Sequence, residues 1–321
     1  MKIVADKYIP FLVDAVQHDW PEVEIIPLKP EEIDAPSLSN ADVLVVRTRT
    51  KVNGQLLAGS RVRLVCTATI GFDHIDTAYC DAHAIRWMSC PGCNAQAVCD
   101  YIEEALSEYH NVQCTMYNSK RTLGVVGVGH VGSLVAKMAE RKGYKVLLND
   151  PPKGIGVSLD EIARNSDIIT FHTPLDTSTY HLCDAYFLSQ CNPEALIINA
   201  ARGGVVDEQA LLHSGHPFIL DTWENEPQIN SEVLNHAFRA SMHIAGYSVE
   251  GKRNATQMCL DAIAKEFELK PIDISTYRYN DTSIPSNKSN EPNRLAAITD
   301  QLKAHPTAFE SLRKAYPLRE G

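Results

Sequence analysis

Arg202, Glu226 and His243 have the types and the setting for acid/base chemistry on a carboxylic acid. Arg202 stands in NAARGG, directly after the apolar run ALII. An arginine at a strand end can clamp a carboxylate with two parallel hydrogen bonds and polarise an adjacent carbonyl. Glu226 lies in DTWENEP and His243 opens HIAGY. A histidine with a carboxylate partner is a general acid/base whose orientation and proton affinity that partner sets. Taken singly, each has a structural alternative: a surface ion pair for Arg202, a solvated loop acid for Glu226, a satisfied structural histidine for His243. Their common position argues for function, because an open parallel sheet collects its ligands outside the carboxyl ends of its strands.

The stretch TLGVVGVGHVG, from Thr122 to Gly132, supplies a partner for such chemistry. Leu123, Val125 and Val126 read as a short buried strand, and Val131, Leu134, Val135 and Met138 recur at helical spacing after it. Between them lie Gly127, Gly129, His130, Val131 and Gly132, a dinucleotide-binding turn in its proper strand-to-helix context. Glycine meets the backbone angles of so tight a turn, and a missing side chain lets a pyrophosphate approach the amides of the helix N-terminus. The next apolar segment ends in Asp150, eighteen residues beyond Gly132, where an acid binds both hydroxyls of an adenosine ribose. It also repels a 2′-phosphate, so NAD rather than NADP is the expected cofactor.

The elements that must position these groups are legible in outline. Strands are predicted at Ile3 to Ala5, Val23 to Ile26, Val43 to Val46, Leu64 to Thr67 and Arg86 to Met88, a small open α/β unit over residues 1–93. An amphipathic helix from Asn94 leads into residues 94–247. There, strands at Lys145 to Asn149, Asp167 to His172, Ala195 to Asn199 and Phe218 to Asp221 alternate with helices, predicting a doubly wound parallel (Rossmann-type) sheet. Ser158 and Glu161 have capping-box spacing. A helix over residues 248–269 is expected to return to the first unit, with Lys270-Pro271 ending it. Residues 270–321 form a short C-terminal segment with a loop or arm from Asp273 to Pro292 and an amphipathic piece from Arg294.

At 321 residues the chain has room for two cores, and its 44% hydrophobic and 22% charged content is that of a globular protein. A net charge of -10 argues against the basic surface that nucleic acid or an anionic membrane requires. No signal peptide or spanning segment is read, so a cytoplasmic protein acting on a small molecule is expected. Nine scattered cysteines do not form a paired framework. Cys90 and Cys93 make a CxxC, which could be a redox pair, but buried thiols are the simpler reading, and no metal site is expected.

Behind a nucleotide turn, an Arg-Glu-His set in this chain order resembles the D-isomer-specific 2-hydroxyacid dehydrogenases. Further segments carry the resemblance: VRTRTKVN at Val46 to Asn53, TATIGFDHID at Thr67 to Asp76, PGCNAQAV at Pro91 to Val98, LLNDPP at Leu147 to Pro152, FHTPL at Phe171 to Leu175 and HIAGYSVEGK at His243 to Lys252. The resemblance implies that Arg202 holds the substrate carboxylate, His243 exchanges the hydroxyl proton and Glu226 supports His243. Glu226 rather than Glu224 takes that role because the family's glutamate precedes proline. It further implies that Thr48, Thr69 and Tyr247 touch substrate, and that Asp150, Thr173, Ala200, Ala201, Arg202, Asp221 and Gly246 line the NAD site. It points to a branch acting on a phosphorylated four-carbon 2-hydroxyacid in vitamin B6 biosynthesis. The alternatives are another 2-hydroxyacid, 3-phosphoglycerate above all, or an NADH-sensing binding protein without turnover. Arg47, Arg49 and Lys51 are candidates for the substrate phosphate. The resemblance also implies a smaller flavodoxin-like substrate domain that closes as a lid, a homodimer and, as a candidate electron acceptor, a 2-oxo acid. The segment after Leu269 is short for the family's C-terminal dimerisation domain.

Overall fold

The structure, a computed structural model, describes residues 1–112, 121–278 and 293–319. The described residues divide into two compact units, one of residues 1–94 and 248–278, the other of residues 95–112, 121–247 and 293–319.

The first unit is built on five parallel strands, β1 (Lys2–Asp6), β2 (Glu24–Leu28), β3 (Val43–Val46), β4 (Leu64–Thr67) and β5 (Arg86–Met88), in the order β2-β1-β3-β4-β5. That order is flavodoxin-like. Strands β3 and β4 are buried along their whole length, as expected of central parallel strands covered on both faces. Helix Val249–Phe267 covers one face: Ala255, Cys259, Leu260 and Ile263 join Ile3, Ala5, Val43, Val45 and Cys66 in one core. The helix begins where Ser248 accepts the amide of Gly251. It ends at Phe267, before Lys270-Pro271, because Glu268 turns left-handed with φ 55°.

The second unit carries seven strands: β6 (Thr122–Val126), β7 (Lys145–Asp150), β8 (Ile155–Gly156), β9 (Ile168–Phe171), β10 (Leu196–Asn199), β11 (Phe218–Leu220) and β12 (Arg239–Ala240). Their order is β12-β11-β10-β9-β6-β7-β8, with only the β7–β8 pair antiparallel. This is a doubly wound Rossmann sheet whose order reverses between β6 and β9, the place where such sheets bind ligands. Leu123, Val125, Ile168, Ile169, Leu196, Ile197 and Ile198 are fully buried there. Each such side chain stabilises the fold by roughly 1.5–3 kcal/mol.

Strands β9 and β11 end one residue earlier than the sequence predicts, so His172 and Asp221 sit just beyond them. The two-residue strands β8 and β12 and the helix Ser231–His236 were not predicted. The C-terminal segment is no separate body. Helix Arg294–Ala304 belongs to the second unit, where Leu295, Ile298 and Leu302 enter its core and Thr299 bonds both the amide and the carbonyl of Ala240. Most of the predicted arm, residues 279–292, lies outside the described residues.

Cys90 and Cys93 of the CxxC are free thiols. The thiol of Cys90 is buried, donates to the carbonyls of Thr67 and Ala255, and lies 3.8 Å from Cys259. Burial pushes the Cys93 thiol up to about 12. Protonated thiols of this kind are inert.

Candidate active site

The three glycines of the turn have three separate reasons. Gly127 takes φ 88°, and a side chain there would lie 2.8 Å from the carbonyl of His172, across the point where the strand order reverses. A side chain at Gly132 would meet the Gly127 oxygen at 1.9 Å, so its absence lets helix His130–Arg141 pack onto the turn. Gly129 differs: a side chain there would touch nothing within 4 Å. The face of the turn above it is open, and the helix that starts there has no side-chain cap. Uncapped first-turn amides carry a partial positive charge and bind anionic oxygens.

Asp150 sits at the end of β7, where Oδ2 accepts the amide of Val128 at 2.8 Å. Lys153 lies 3.6 Å from the same oxygen and donates to the Val128 carbonyl at 2.8 Å, which fixes the turn from its far side. Across the switch point, Thr173 Oγ1 is buried with no hydrogen-bond partner among the described residues. Beside it, burial lowers His172 to about 3, so this imidazole is neutral, with Nε2 3.0 Å from Thr170 Oγ1. An open pyrophosphate face, an acid at the ribose position and an unsatisfied threonine together fit a dinucleotide.

The catalytic candidates come from the segments after β10, β11 and β12. Asn199, fully buried, straps the turn after β10: its Oδ1 accepts the amide of Ala201 and its Nδ2 donates to the carbonyl of Arg202. Arg202 emerges from that strap half-buried. Nη1 donates to the Ala201 carbonyl at 2.8 Å, and no acid among the described residues pairs with the guanidinium. The surface-ion-pair alternative therefore has no partner in the structure.

After β11, Asp221 organises the loop that carries His243. Its carboxylate, 1% exposed, accepts Ser241 Oγ at 2.6 Å and the amides of Ile244 and Ala245 at 2.8 and 3.0 Å. The amide of His243 bonds the Asp221 carbonyl at 2.7 Å, and His243 itself is held at φ 57°. With the backbone so anchored, the imidazole presents Nδ1 to Glu226 Oε2 at 2.8 Å. Glu226 in turn accepts the amide of Trp223 through Oε1 at 2.8 Å. Glu224, the other acid in the run, faces away and bonds His181 at 2.5 Å. The two glutamates are thus told apart by geometry as well as by the following proline. His243 Nε2 has no partner among the described residues, while Nδ1 is fixed by the carboxylate. This is the arrangement of a proton acceptor whose tautomer is set from behind.

Ala200, Gly246 and Tyr247 lie in these same two loops. Tyr247 is half-buried, with the guanidinium of Arg313 5.7 Å from its ring. In the first unit, Thr69 Oγ1 shares a hydrogen bond with Thr67 and donates to the carbonyl of Gly71, while Thr48 is exposed in the loop after β3. Arg47 is bound bidentately to fully buried Asp6, at 2.8 and 3.2 Å. Sequence reasoning missed Asn199 and the clamp formed by Asp221. The available signal was a polar residue closing an apolar strand.

Residues 100–245 match the family model described as D-isomer specific 2-hydroxyacid dehydrogenase, NAD binding domain. Along nearly its whole length, 99% of this chain and 97% of the relative, the chain is 41% identical to an erythronate-4-phosphate dehydrogenase of Bacteroides fragilis. The chain belongs to the D-isomer-specific 2-hydroxyacid dehydrogenases. As a member of that family it is an NAD-dependent dehydrogenase. A second relative, from Pseudomonas syringae pv. tomato and also named erythronate-4-phosphate dehydrogenase, is 42% identical over 82% of this chain and 72% of its own length. Among solved structures, NAD-bound 3-phosphoglycerate dehydrogenase of Entamoeba histolytica aligns with a TM-score of 0.69 at 24% identity, over 84% of this chain and 95% of that one. The D-lactate dehydrogenase of Aquifex aeolicus, complexed with NAD and lactic acid, aligns at 0.67 and 23% identity, over 83% and 95%. At such identities these two show the fold.

Proposed function

We propose that the chain oxidises 4-phospho-D-erythronate at C2 to the 2-oxo acid, a step in pyridoxal 5′-phosphate biosynthesis. The observation that carries the reaction type is the 2.8 Å bond from His243 Nδ1 to Glu226, together with an Arg202 that has no acidic partner among the described residues. The substrate follows from the name borne by relatives of about this length. Bound NAD supplies the hydride acceptor at C4 of its nicotinamide. Asp150 would hold the adenosine ribose, the amides beside Gly129 the pyrophosphate, and Thr173, Ala200, Ala201, Asp221 and Gly246 the remainder, with His130 and Val131 in the turn.

His243 does the proton chemistry. With Nδ1–H donated to Glu226, the neutral ring carries its lone pair on Nε2, which takes the proton of the C2 hydroxyl as the C2–H pair leaves as hydride. Glu226 stabilises the resulting imidazolium, and Arg202 fixes the carboxylate and C2 oxygen. Such positioning can lower the barrier by several kcal/mol, up to roughly 7–11 in the best intramolecular cases. Thr48, Thr69 and Tyr247 are assigned to substrate by family likeness. The pairing of Arg47 with Asp6 makes it a brace for its loop, which leaves the phosphate to other groups. A homodimer is the assembly that family likeness suggests.

The test is a side-by-side comparison of 4-phospho-D-erythronate and 3-phosphoglycerate with 2-oxoglutarate present, so that cofactor retained on the protein is reoxidised. The expected kcat/KM ratio favours phosphoerythronate by about 10²-fold or more, as a site built for specific polar groups does. Preference for 3-phosphoglycerate would overturn the assignment. Tight NADH binding with no turnover of either acid would instead indicate a sensor.

A further inference from the structure

We infer that Glu208 is a positioning residue for the Glu226–His243 pair: it grips the loop that carries Glu226 and makes the proton affinity of His243 depend on its own charge. The inference rests on the roles given to Glu226 and His243 above.

The geometry is specific. Successive amides of the Asp221–Pro227 loop are each taken by a carboxylate, Trp223 N–H by Glu226 at 2.8 Å and Glu224 N–H by Glu208 Oε1 at 2.6 Å. Glu208 reaches the loop from the first position of helix Glu208–Ser214 and is only 3% exposed. The same peptide is pressed from the side by Gly203, where a side chain would lie 2.0 Å from the Trp223 carbonyl oxygen and 2.6 Å from Glu224 N. A continuous path thus runs from Glu208 through the successive amides of Glu224 and Trp223 to Glu226 and on to His243 Nδ1.

A glutamine could accept the same amide without the cost of a buried charge. Burial pushes the Glu208 carboxyl up to about 7, opposed by the Glu224 amide and reinforced by the charges of Glu224, Glu226 and Asp207. His181 bonds Glu224 and lies 3.6 Å from Asp207. A buried acid retained against the loop that carries Glu226 is a functional signature. When ionised, Glu208 adds negative charge behind Glu226 and favours the imidazolium of His243; when protonated, it keeps its grip on the loop and releases the base to its neutral form.

Glu208→Gln and Glu208→Ala separate charge from grip. The first readout needs no substrate: the imidazole titration of His243 in protein labelled with ¹⁵N-histidine, assigned with a His243→Asn variant. In Glu208→Gln it is expected to move to lower pH by about half a unit, as removal of a nearby charge requires. The acid limb of kcat for hydroxyacid oxidation should move the same way, with the plateau within about threefold of wild type. Glu208→Ala should lower kcat at every pH by about tenfold or more while the Kd for NADH stays within about twofold. A wild-type His243 titration in Glu208→Gln would overturn the inference, even if phosphoerythronate proved to be the wrong substrate. Failure to oxidise phosphoerythronate with the titration shift present would count against the substrate assignment alone.

Discussion

At the scale of single residues, the proposed chemistry turns on the proton of His243. Glu226 holds Nδ1, so replacing the acid by its amide should disturb the tautomer more than the position. Glu226→Gln is expected to reduce kcat by about 10²-fold and to move the acid limb of the oxidation profile to lower pH, because the imidazolium loses its counter-charge. His243→Ala should remove about 10²- to 10⁴-fold of turnover with NADH affinity nearly intact, as measured by fluorescence titration. A normal rate in that variant would take His243 out of the mechanism. Asp150 makes a separate prediction. Its carboxylate already accepts the Val128 amide at 2.8 Å, leaving its other oxygen for a ribose hydroxyl. Asp150→Ala should weaken NAD binding by about tenfold and narrow the preference over NADP, read as the ratio of the two KM values. These residues were legible in the sequence because each stands at a marked place: after an apolar strand, before proline, or at a fixed distance from the glycine turn.

At the scale of elements, the loop from His243 to Tyr247 is set by partners far away in sequence. Asp221 holds its first half from β11. Arg319 holds its second, with the guanidinium donating to the carbonyls of Ala245, Tyr247 and, at 2.8 Å, Ala97. Arg319→Ala should therefore lower kcat more than it raises the KM for NAD, since the loop bearing His243 loses one of its anchors while the glycine turn is untouched. Equal effects on the two constants would show that the C-terminal arginine does not serve that loop. The sequence disclosed the strands and the turn because period, composition and glycine spacing are local. It did not disclose Asp221 as a clamp, Glu208 as a grip on the Glu224 amide, or Arg319 as an anchor, because each joins positions whose neighbourhood exists only after folding. Strands β8 and β12 escaped notice for a simpler reason: two residues carry no period.

At the scale of the whole molecule, the apolar runs of both sheets reported a parallel α/β architecture, and the strand order within each unit follows from it. The short C-terminal segment was harder to place. Helix Arg294–Ala304 covers part of the second unit through the apolar face its pattern announced and through the Glu104 and Glu108 bonds of Arg294 and Leu295, which no local pattern foreshadowed. Stability against pH offers a global check on Glu208. Its carboxyl titrates at about 7 when folded against a reference value of 4.5, so the folded protein holds a proton that the unfolded chain has released between those values. Stability from this group is complete below about 4.5 and is lost as the pH rises through about 7, by at most about 3 kcal/mol. Glu208→Gln should accordingly gain Tm relative to wild type at pH 8 compared with pH 5, as followed by calorimetry. The most direct test of the catalytic account is a label-transfer measurement: 4-phospho-D-erythronate deuterated at C2 is incubated with stoichiometric enzyme and NAD, and cofactor and product are analysed by mass spectrometry. The expected result is NADH heavier by one deuterium together with an unlabelled 2-oxo acid, and loss of both in His243→Ala. Deuterium retained in the acid, or its appearance in water rather than on the cofactor, would contradict hydride transfer from C2.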